Sequence, residues 1–228
     1  MFFVGNNDAS FAPKGLFLGG VSAVMIAVWW MMFPLTVSVP GWLEPYVLDG
    51  DPTRRALVYF CLAVYVLRVA VTIVVFLKRK FIWIESVMVT AFMVFVLLAF
   101  ARTGGANPQS IGSFEVIGLA LYFGGSYLNT WSEHQRQQFK ADPANEGRLY
   151  TLGLFSLSRN INYFGDTVLF SGLALVTGQV TMLVIPVAMT LNFIFFVIPR
   201  KEAYLAEKYG AEFTDFTKQT KNLIPYIY

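Results

Sequence analysis

The strongest constraint on this chain is a succession of apolar windows, each about long enough to cross a lipid bilayer. A membrane-crossing helix needs about 20 predominantly apolar residues, because the hydrocarbon core is about 30 Å thick. Six windows meet or approach this requirement: 15–38, 55–77, 81–101, 112–132, 163–178 and 180–199. We therefore expect the chain to fold in lipid as helices, which satisfy their backbone polar groups internally.

The composition supports this expectation. Hydrophobic residues make up 56% of the chain and charged residues only 14%, and the mean hydropathy is +0.57. The formal net charge of +3 is too small for a nucleic-acid-binding protein, so no nucleic-acid partner is expected. The predicted fold class is all-α: a polytopic transmembrane bundle of about six helices that forms a single membrane domain over residues 1–228.

The connections between the windows differ in length and polarity. Windows 163–178 and 180–199 are joined so closely that we predict an antiparallel helical hairpin. Residues 133–162 form the longest polar connection, and function often resides in such segments. After Arg200 the pattern is again helical and predicts a cytoplasmic interfacial helix, with an apolar face formed by Leu205, Tyr209, Phe213 and Phe216.

Lysine and arginine are distributed unequally over the two sides that six crossings would create. Thirteen of the 17 fall on the side of the N-terminus, the 78–80 loop, the 133–162 segment and the tail. The other side holds three, Arg54, Arg55 and Arg102, and Arg68 lies inside a window. Because basic loops remain in the cytoplasm, we predict a multi-pass integral membrane protein with both termini cytoplasmic, as in a bacterial inner membrane.

Arg68 lies about midway along its apolar window, where a charge is costly unless it has a partner. It must therefore face a polar interior rather than lipid. Two interpretations are open: an ion pair with a carboxylate such as Glu85 or Glu115, or contact with an anionic ligand.

Polar residues at the ends of two windows share helix faces. Asn129 and Glu133 are four residues apart, so amide and carboxylate lie on one face and could hold a ligand; a solvated helix end is the alternative. Asn162 and Asp166 are also four apart, after Arg159. A helix cap explains an asparagine there, but it does not explain a carboxylate one turn into an apolar helix.

A further cluster, from Arg200 to Tyr204, lies where the last window ends and could instead be a membrane anchor. Together the clusters offer cations for phosphates or a carboxylate, and amides and acids for hydroxyl groups, which is typical of a nucleotide-like cofactor site. Neither GxGxxG nor GxxxxGK[ST] is present in a suitable context, so no Rossmann or P-loop fold is expected. His134 is the only histidine, and no metal site is predicted.

A series of motifs runs through residues 125–228. It comprises Phe139-Lys-Ala-Asp-Pro-Ala-Asn-Glu-Gly-Arg148, Gly153-Leu-Phe155, Ser158-Arg159, Asn162-Tyr-Phe-Gly-Asp166 and Ile224-Pro225-Tyr226. In order and spacing these motifs resemble the steroid 5-alpha-reductase C-terminal domain family, in its bacterial DUF1295-type form. The wider superfamily also contains isoprenylcysteine carboxyl methyltransferases and phospholipid methyltransferases, so the resemblance implies the fold more directly than the reaction.

The resemblance implies an NADPH pocket in approximately residues 125–228, closed by the last helices and the cytoplasmic loops. Asn129, Glu133 and Lys140 match the family's N-x3-D-x6-R pattern, and Asn162 with Asp166 matches its N-x3-E pattern. The implied cofactor-binding set is completed by Arg68, Arg148, Arg159, Tyr163, Arg200 and Tyr204. The segment Val64-Tyr65-Val66-Leu67-Arg68 resembles the family's HYFHR segment, which implies Tyr65 as the catalytic phenol that hydrogen-bonds the substrate carbonyl.

Some positions depart from the family pattern. Asn160-Ile161 replaces His-Pro, Asp166 replaces Glu, and Glu133 replaces Asp. Met31-Met32-Phe33-Pro34 stands where steroid reductases have a Gln-Glu pair that polarises the ketone. The expected reaction is therefore NADPH-dependent reduction of a conjugated C=C bond in a lipid or steroid-like substrate, with Tyr65 acting without its usual acid.

Two other functions stay open. An S-adenosylmethionine-dependent methyltransferase would place Asn162-Tyr163 and Arg200-Lys201-Glu202 around its cofactor. A non-enzymatic membrane protein is the third possibility. The reductase is favoured because Asn129, Glu133 and Lys140 follow the reductase pattern.

Overall fold

All regular secondary structure in the part of the chain that the structure describes is helical. The computed structural model describes residues 10–34, 41–42, 44–77 and 80–228. Its α-helices are α1 Phe11–Met32, α2 Pro52–Val71, α3 Trp83–Gly105, α4 Ser113–Ala141, α5 Ile161–Val176, α6 Val184–Asn192, α7 Ile198–Tyr209 and α8 Ala211–Gln219. Two π-helical segments, Thr72–Phe76 and Phe193–Val197, follow α2 and α6 directly. Short 3-10 turns lie at Glu44–Tyr46, Pro143–Asn145, Gly153–Ser156 and Val180–Leu183. The predicted all-α class is confirmed.

Within the described ranges, four helical stretches are long and apolar enough to cross a membrane: Phe11–Met32, Pro52–Phe76, Trp83–Gly105 and Val180–Tyr209. They support an integral membrane protein. Helix α5 is apolar but has only 16 residues, and α4 has 29 residues with a strongly polar C-terminal part. The count of six crossings, the single domain, the interfacial position of the tail and the cytoplasmic termini stay predictions.

The chain divides into two compact units. The first comprises the residues up to Leu119 together with Gly172–Met182, and the second comprises Ala120–Ser171 and Leu183–Tyr228. In the first unit α1 packs against α3. Helix α1 buries a single stripe at intervals of three or four residues, which is the spacing of one helix face: Phe17, Val21, Met25, Val28 and Met32.

The first unit is held together by a charged side chain that has no exposed surface. Arg54, in the first turn of α2, is 0% exposed. Its guanidinium donates to three carbonyl oxygens and one carboxylate: Gln109 at 3.1 Å, Ser110 at 3.1 Å, Val176 at 3.0 Å and Glu115 at 2.8 Å. Gly178, with φ +72°, lies so close that a Cβ there would overlap the guanidinium. A buried charge is costly unless its donors are satisfied. These contacts therefore hold the start of α2 against the start of α4, at Glu115, and against the end of α5, at Val176.

In the second unit α4 and α5 touch backbone to backbone. A Cβ at Gly165 would lie 2.7 Å from the backbone nitrogen of Asn129 and 2.8 Å from the carbonyl oxygen of Gly125. A Cβ at Gly125 would overlap the Leu169 backbone. Only glycine permits such an approach. Helix α8 and the 153–156 turn pack against the start of α5 through an apolar cluster: Phe155, Ile161, Phe213 and Phe216.

We expect Glu115→Ala to destabilise the protein strongly. The substitution leaves the Arg54 guanidinium buried without its carboxylate, and breaking a buried ion pair in this way typically costs about 3 to 5 kcal/mol. The midpoint of thermal unfolding in detergent should fall well below that of the wild type.

Lys218→Ala is the matched control for this prediction. It breaks an ion pair with Asp215 in which both side chains are exposed, and such pairs contribute about 0 to 1 kcal/mol. Its unfolding midpoint should stay near the wild-type value. Equal midpoints for the two variants would contradict the role assigned to Arg54.

Candidate functional site

A row of hydrogen bonds connects α4 to α5 in the second unit. The Asn129 amide donates to the Asn162 carbonyl oxygen at 3.0 Å, and the Asn162 amide donates to Glu133 Oε1 at 3.0 Å. Glu133 also accepts an ion-pair hydrogen bond from Arg136. The row is possible because the glycine contact brings the two helix backbones together at this level.

One polar atom of this row has no partner. Asn162 Oδ1 is buried and accepts no hydrogen bond from any residue that the structure describes. Most buried polar atoms in proteins have a partner. An unpartnered acceptor here indicates a position where a donor group of a ligand would be stabilised.

Arg159 joins the start of α5 to the last two helices. Its Nε donates to Glu202 Oε1 at 2.8 Å, and its Nη1 donates to the carbonyl oxygens of Thr217, at 3.4 Å, and Thr220. Its backbone nitrogen donates to the Lys221 carbonyl oxygen at 2.9 Å. The guanidinium therefore holds α7 and the end of α8 beside α5.

Lys201 projects from α7 into the same region and is 9% exposed. Its Nζ donates to Asn160 Oδ1 at 2.8 Å and lies 5.0 Å from the centre of the Tyr163 ring. Within the described part of the chain, Lys201 forms no ion pair. Its ammonium is therefore held by the Asn160 amide, by the Arg159 carbonyl oxygen at 3.5 Å and by an aromatic face, rather than by a carboxylate.

Arg159 and Lys201 lie in the wall of a cavity of about 220 Å³. Its lining consists of four cations, Arg136, Lys140, Arg159 and Lys201, the tyrosines Tyr150, Tyr204 and Tyr209, and four apolar side chains. Burial raises the pKa of the Tyr150 phenol, so this phenol stays protonated at neutral pH and can donate a hydrogen bond. The lining is suited to a ligand that is anionic in one part and apolar in another.

A second cavity, of about 420 Å³, adjoins the first. The two share Lys140 and Tyr209, and the second also has Lys208, Asp142 and Glu146 in its lining. At the shared wall, Lys140 Nζ donates to Tyr209 Oη at 3.1 Å and to the Arg148 carbonyl oxygen. A ligand with two bulky halves could occupy both cavities.

The residues predicted from the sequence lie at different positions relative to the first cavity. Lys140, Arg159 and Tyr204 line it. Four more predicted residues contact the lining directly or through one another. Glu133 pairs with Arg136 of the lining, Asn162 donates to Glu133, and Asn129 donates to Asn162. The Tyr163 ring lies beside Lys201 of the lining.

Three other predicted residues of this unit lie outside the lining. Arg148 and Arg200 have exposed side chains, and Asp166 is half-buried on α5, one turn after Asn162. Their assignment to a cofactor stays a prediction.

Tyr65 and Arg68 belong to the first unit and neighbour each other on α2. The Tyr65 hydroxyl lies 3.6 Å from Met93 Sδ, and the Arg68 guanidinium lies 5.2 Å from the centre of the Tyr65 ring. Of the two carboxylates considered for Arg68, Glu115 pairs with Arg54. The catalytic role of Tyr65 and the cofactor role of Arg68 stay predictions.

Four polar residues of the lining were not in the predicted NADPH-binding set: Arg136, Tyr150, Lys201 and Tyr209. Lys201 was predicted only for the S-adenosylmethionine alternative. A signal existed for two of them. Arg136 follows Glu133 by three residues, and Lys201 precedes Tyr204 by three, so each shares a helix face with a predicted residue. Tyr150 lies outside regular structure, where no periodicity applies.

Two curated proteins are similar to parts of the chain. The probable O-methyltransferase ustE of Ustilaginoidea virens is 39% identical over 83 residues, which cover 35% of this chain and 28% of that protein. The Delta(14)-sterol reductase of Ascobolus immersus is 27% identical over 144 residues, which cover 56% of this chain and 34% of that protein. The chain thus spans about a third of the length of the curated relatives it matches.

A protein-family model matches more than half of the chain. It covers residues 70–220 and is described as "Protein of unknown function (DUF1295)". The matched range contains α3 to α8 and every residue that lines the first cavity. The chain therefore belongs to the DUF1295 family, which confirms the family resemblance of its motifs.

Proposed function

We propose that the chain is a membrane-embedded reductase that uses NADPH to reduce a conjugated C=C bond in a lipid or steroid-like substrate. The proposal is supported by the charge around the first cavity, by the similarity of residues in the second unit to the reductase pattern, and by the apolar helices that would give a lipid access. The sterol reductase among the similar proteins supports the same reaction class.

The four cations around one cavity are the observation on which the proposal rests. NADPH presents a pyrophosphate and a 2′-phosphate, and arginine and lysine are the side chains best suited to bind phosphates. The nearby acids Glu133 and Glu202 already pair with Arg136 and Arg159, so the remaining charge is positive. S-adenosylmethionine carries a sulfonium cation, which like charges would repel.

The described residues also fit the neutral parts of the cofactor. Asn162 Oδ1 is a free buried acceptor for a carboxamide or ribose hydroxyl. The first cavity, about 220 Å³, is smaller than most cofactor pockets of roughly 300–1,000 Å³, and the adjoining cavity of about 420 Å³ supplies room for a second nucleotide. When bound, NADPH would supply a hydride to the β carbon of the conjugated bond.

Tyr65 would act on the substrate rather than on the cofactor. Negative charge develops on the substrate oxygen as the conjugated bond is reduced, and a preoriented phenol donor stabilises that charge strongly in a water-poor site. Tyr65 is buried and carries such a donor. Water would deliver the proton to the α carbon. Arg68 beside it, and Arg148, Asp166 and Arg200 in the second unit, complete the proposed set.

The proposed cofactor also suggests an orientation. NADPH is a cytoplasmic metabolite, so the cavity formed around the 133–162 segment would open to the cytoplasm. The excess of lysine and arginine in the same segments supports this sidedness. We therefore propose cytoplasmic termini, and a bacterial inner membrane as the location.

A methyltransferase is the second candidate. The similarity to the O-methyltransferase of Ustilaginoidea virens, 39% over 83 residues, favours it. In that case S-adenosylmethionine would bind near Asn162, Tyr163 and Glu202.

Binding of the two cofactors separates these candidates. We expect NADPH to raise the unfolding temperature of the detergent-purified protein, because a ligand at about 100 times its Kd stabilises the folded state by about 2.7 kcal/mol. NADH, which lacks the 2′-phosphate, should stabilise less, and S-adenosylmethionine should have no effect. Stabilisation by S-adenosylmethionine alone would favour the methyltransferase, and no effect of any of the three would favour a non-enzymatic protein.

Lys140→Met tests the electrostatic part of the proposal. Lys140 lines both cavities, and a charged hydrogen bond to a phosphate typically contributes about 1.5 to 3 kcal/mol. We expect the Kd for NADPH, measured by fluorescence quenching, to rise about tenfold or more. Lys218→Met, which removes an exposed lysine outside either cavity, should leave the Kd unchanged. The same Kd in both variants would contradict a phosphate contact.

Tyr65→Phe tests the proposed catalytic donor. Loss of one such donor typically lowers turnover by about 10²-fold or more, while NADPH binding should be retained. The measurement is NADPH oxidation in the presence of lipid or steroid enones. Tyr59→Phe, on the same helix but packed against Trp29 and Phe33, is the control and should keep wild-type turnover. Full activity of Tyr65→Phe would exclude the assignment.

A further inference from the structure

Asn160 lies between the cavity and the C-terminal segment, immediately before α5, and is 1% exposed. It occupies a position where the family pattern has histidine. Its side chain contacts both neighbours: Oδ1 accepts from Lys201 Nζ at 2.8 Å, and Nδ2 donates to the Asn222 carbonyl oxygen at 2.9 Å and to Asn222 Oδ1 at 2.8 Å.

The orientation of this amide is determined by its partners. Two oxygens of Asn222 face one end of it, and a side-chain amide can satisfy two acceptors only with its NH₂ group. The opposite end must therefore present an oxygen to Lys201, whose ammonium has donors only. A reversed amide would place donors against donors at one end and acceptors against acceptors at the other.

The position of Asn160 is itself fixed by the backbone. Its nitrogen donates to Ser158 Oγ at 3.2 Å, and Ser158 Oγ donates to the Leu223 carbonyl oxygen at 2.8 Å. The amide that holds Lys201 is thus attached to the C-terminal segment by several bonds.

A neutral amide holds the Lys201 ammonium without cancelling its charge. A carboxylate at this position would form an ion pair with Lys201, and a protonated imidazole would repel it. Because Lys201 forms no ion pair among the described residues, an anionic group of a ligand in the cavity could pair with its ammonium.

We infer that Asn160 is a positioning residue that holds the Lys201 ammonium in the cavity wall and thereby sets the affinity of the site for the anionic part of the cofactor. The inference rests on the proposed NADPH site. It assigns a role in binding to a position where this chain departs from the family pattern.

A double-mutant cycle on purified protein tests the inference, with the Kd for NADPH as its readout. We expect Lys201→Met to raise the Kd about tenfold or more, as loss of a charged hydrogen bond would. Asn160→Ala should raise it about fivefold or more in the wild-type background, but less than twofold in the Lys201→Met background, because Asn160 acts through Lys201. Equal effects in the two backgrounds would show a structural role and overturn the inference.

Asn160→Asp provides a test that does not depend on tolerance of the alanine substitution. It preserves the side-chain shape, but its carboxylate would pair with Lys201, and it would also lose the two donations to Asn222. The Kd should therefore rise about tenfold. Asn222→Ala is the control: it removes one bond from Asn160 to the C-terminal segment and leaves the Lys201 contact, so it should change the Kd less than twofold.

The outcomes separate this inference from the proposed function. If the wild type binds NADPH and Asn160→Asp binds it equally well, the inference is wrong and the proposed function stands. If the wild type binds S-adenosylmethionine and not NADPH, the proposed function fails, and the inference fails with it.

Discussion

The candidate site depends on the backbone contact between α4 and α5 at Gly125 and Gly165. Side chains at these positions would force the helices apart, because each Cβ would meet backbone atoms of the other helix. The contact brings Asn129 and Glu133 within hydrogen-bonding distance of Asn162. Close packing at small residues is a general means of helix association in membranes, and here it also assembles a polar row that neither helix could satisfy alone.

The chain holds its buried cations in two different ways. The guanidinium of Arg54 is saturated by three carbonyl oxygens and one carboxylate, so it has a structural role and little capacity for a ligand. Lys201 is also buried, but an amide oxygen holds it and no acid of the described chain pairs with it. Burial without neutralisation is costly, and a bound anion would offset that cost. This contrast separates a fold-determining charge from a ligand-binding one.

The sequence predicted the helical class from its apolar windows and the family from its motifs. The helix period also placed Asn129 and Glu133 on one face of α4, where both are joined to Asn162 by hydrogen bonds. For the last helix the motifs gave less detail. The family resemblance implies Arg200 as a cofactor residue, which stays a prediction, and the structure adds its neighbour Lys201 to the lining of the cavity. Which of the two side chains faces the cavity depends on the rotation of α7, and the π-helical segment Phe193–Val197 directly before α7 changes that rotation from the regular helical period.

The central claim is that the cations of the second unit converge on one anionic cofactor. A structure of the protein in lipid with bound NADPH would test it most directly. The account predicts phosphate oxygens within hydrogen-bonding distance of Lys140 and Lys201, and a ligand donor facing Asn162 Oδ1. Phosphates bound elsewhere, with an empty cavity between Arg136 and Arg159, would contradict it.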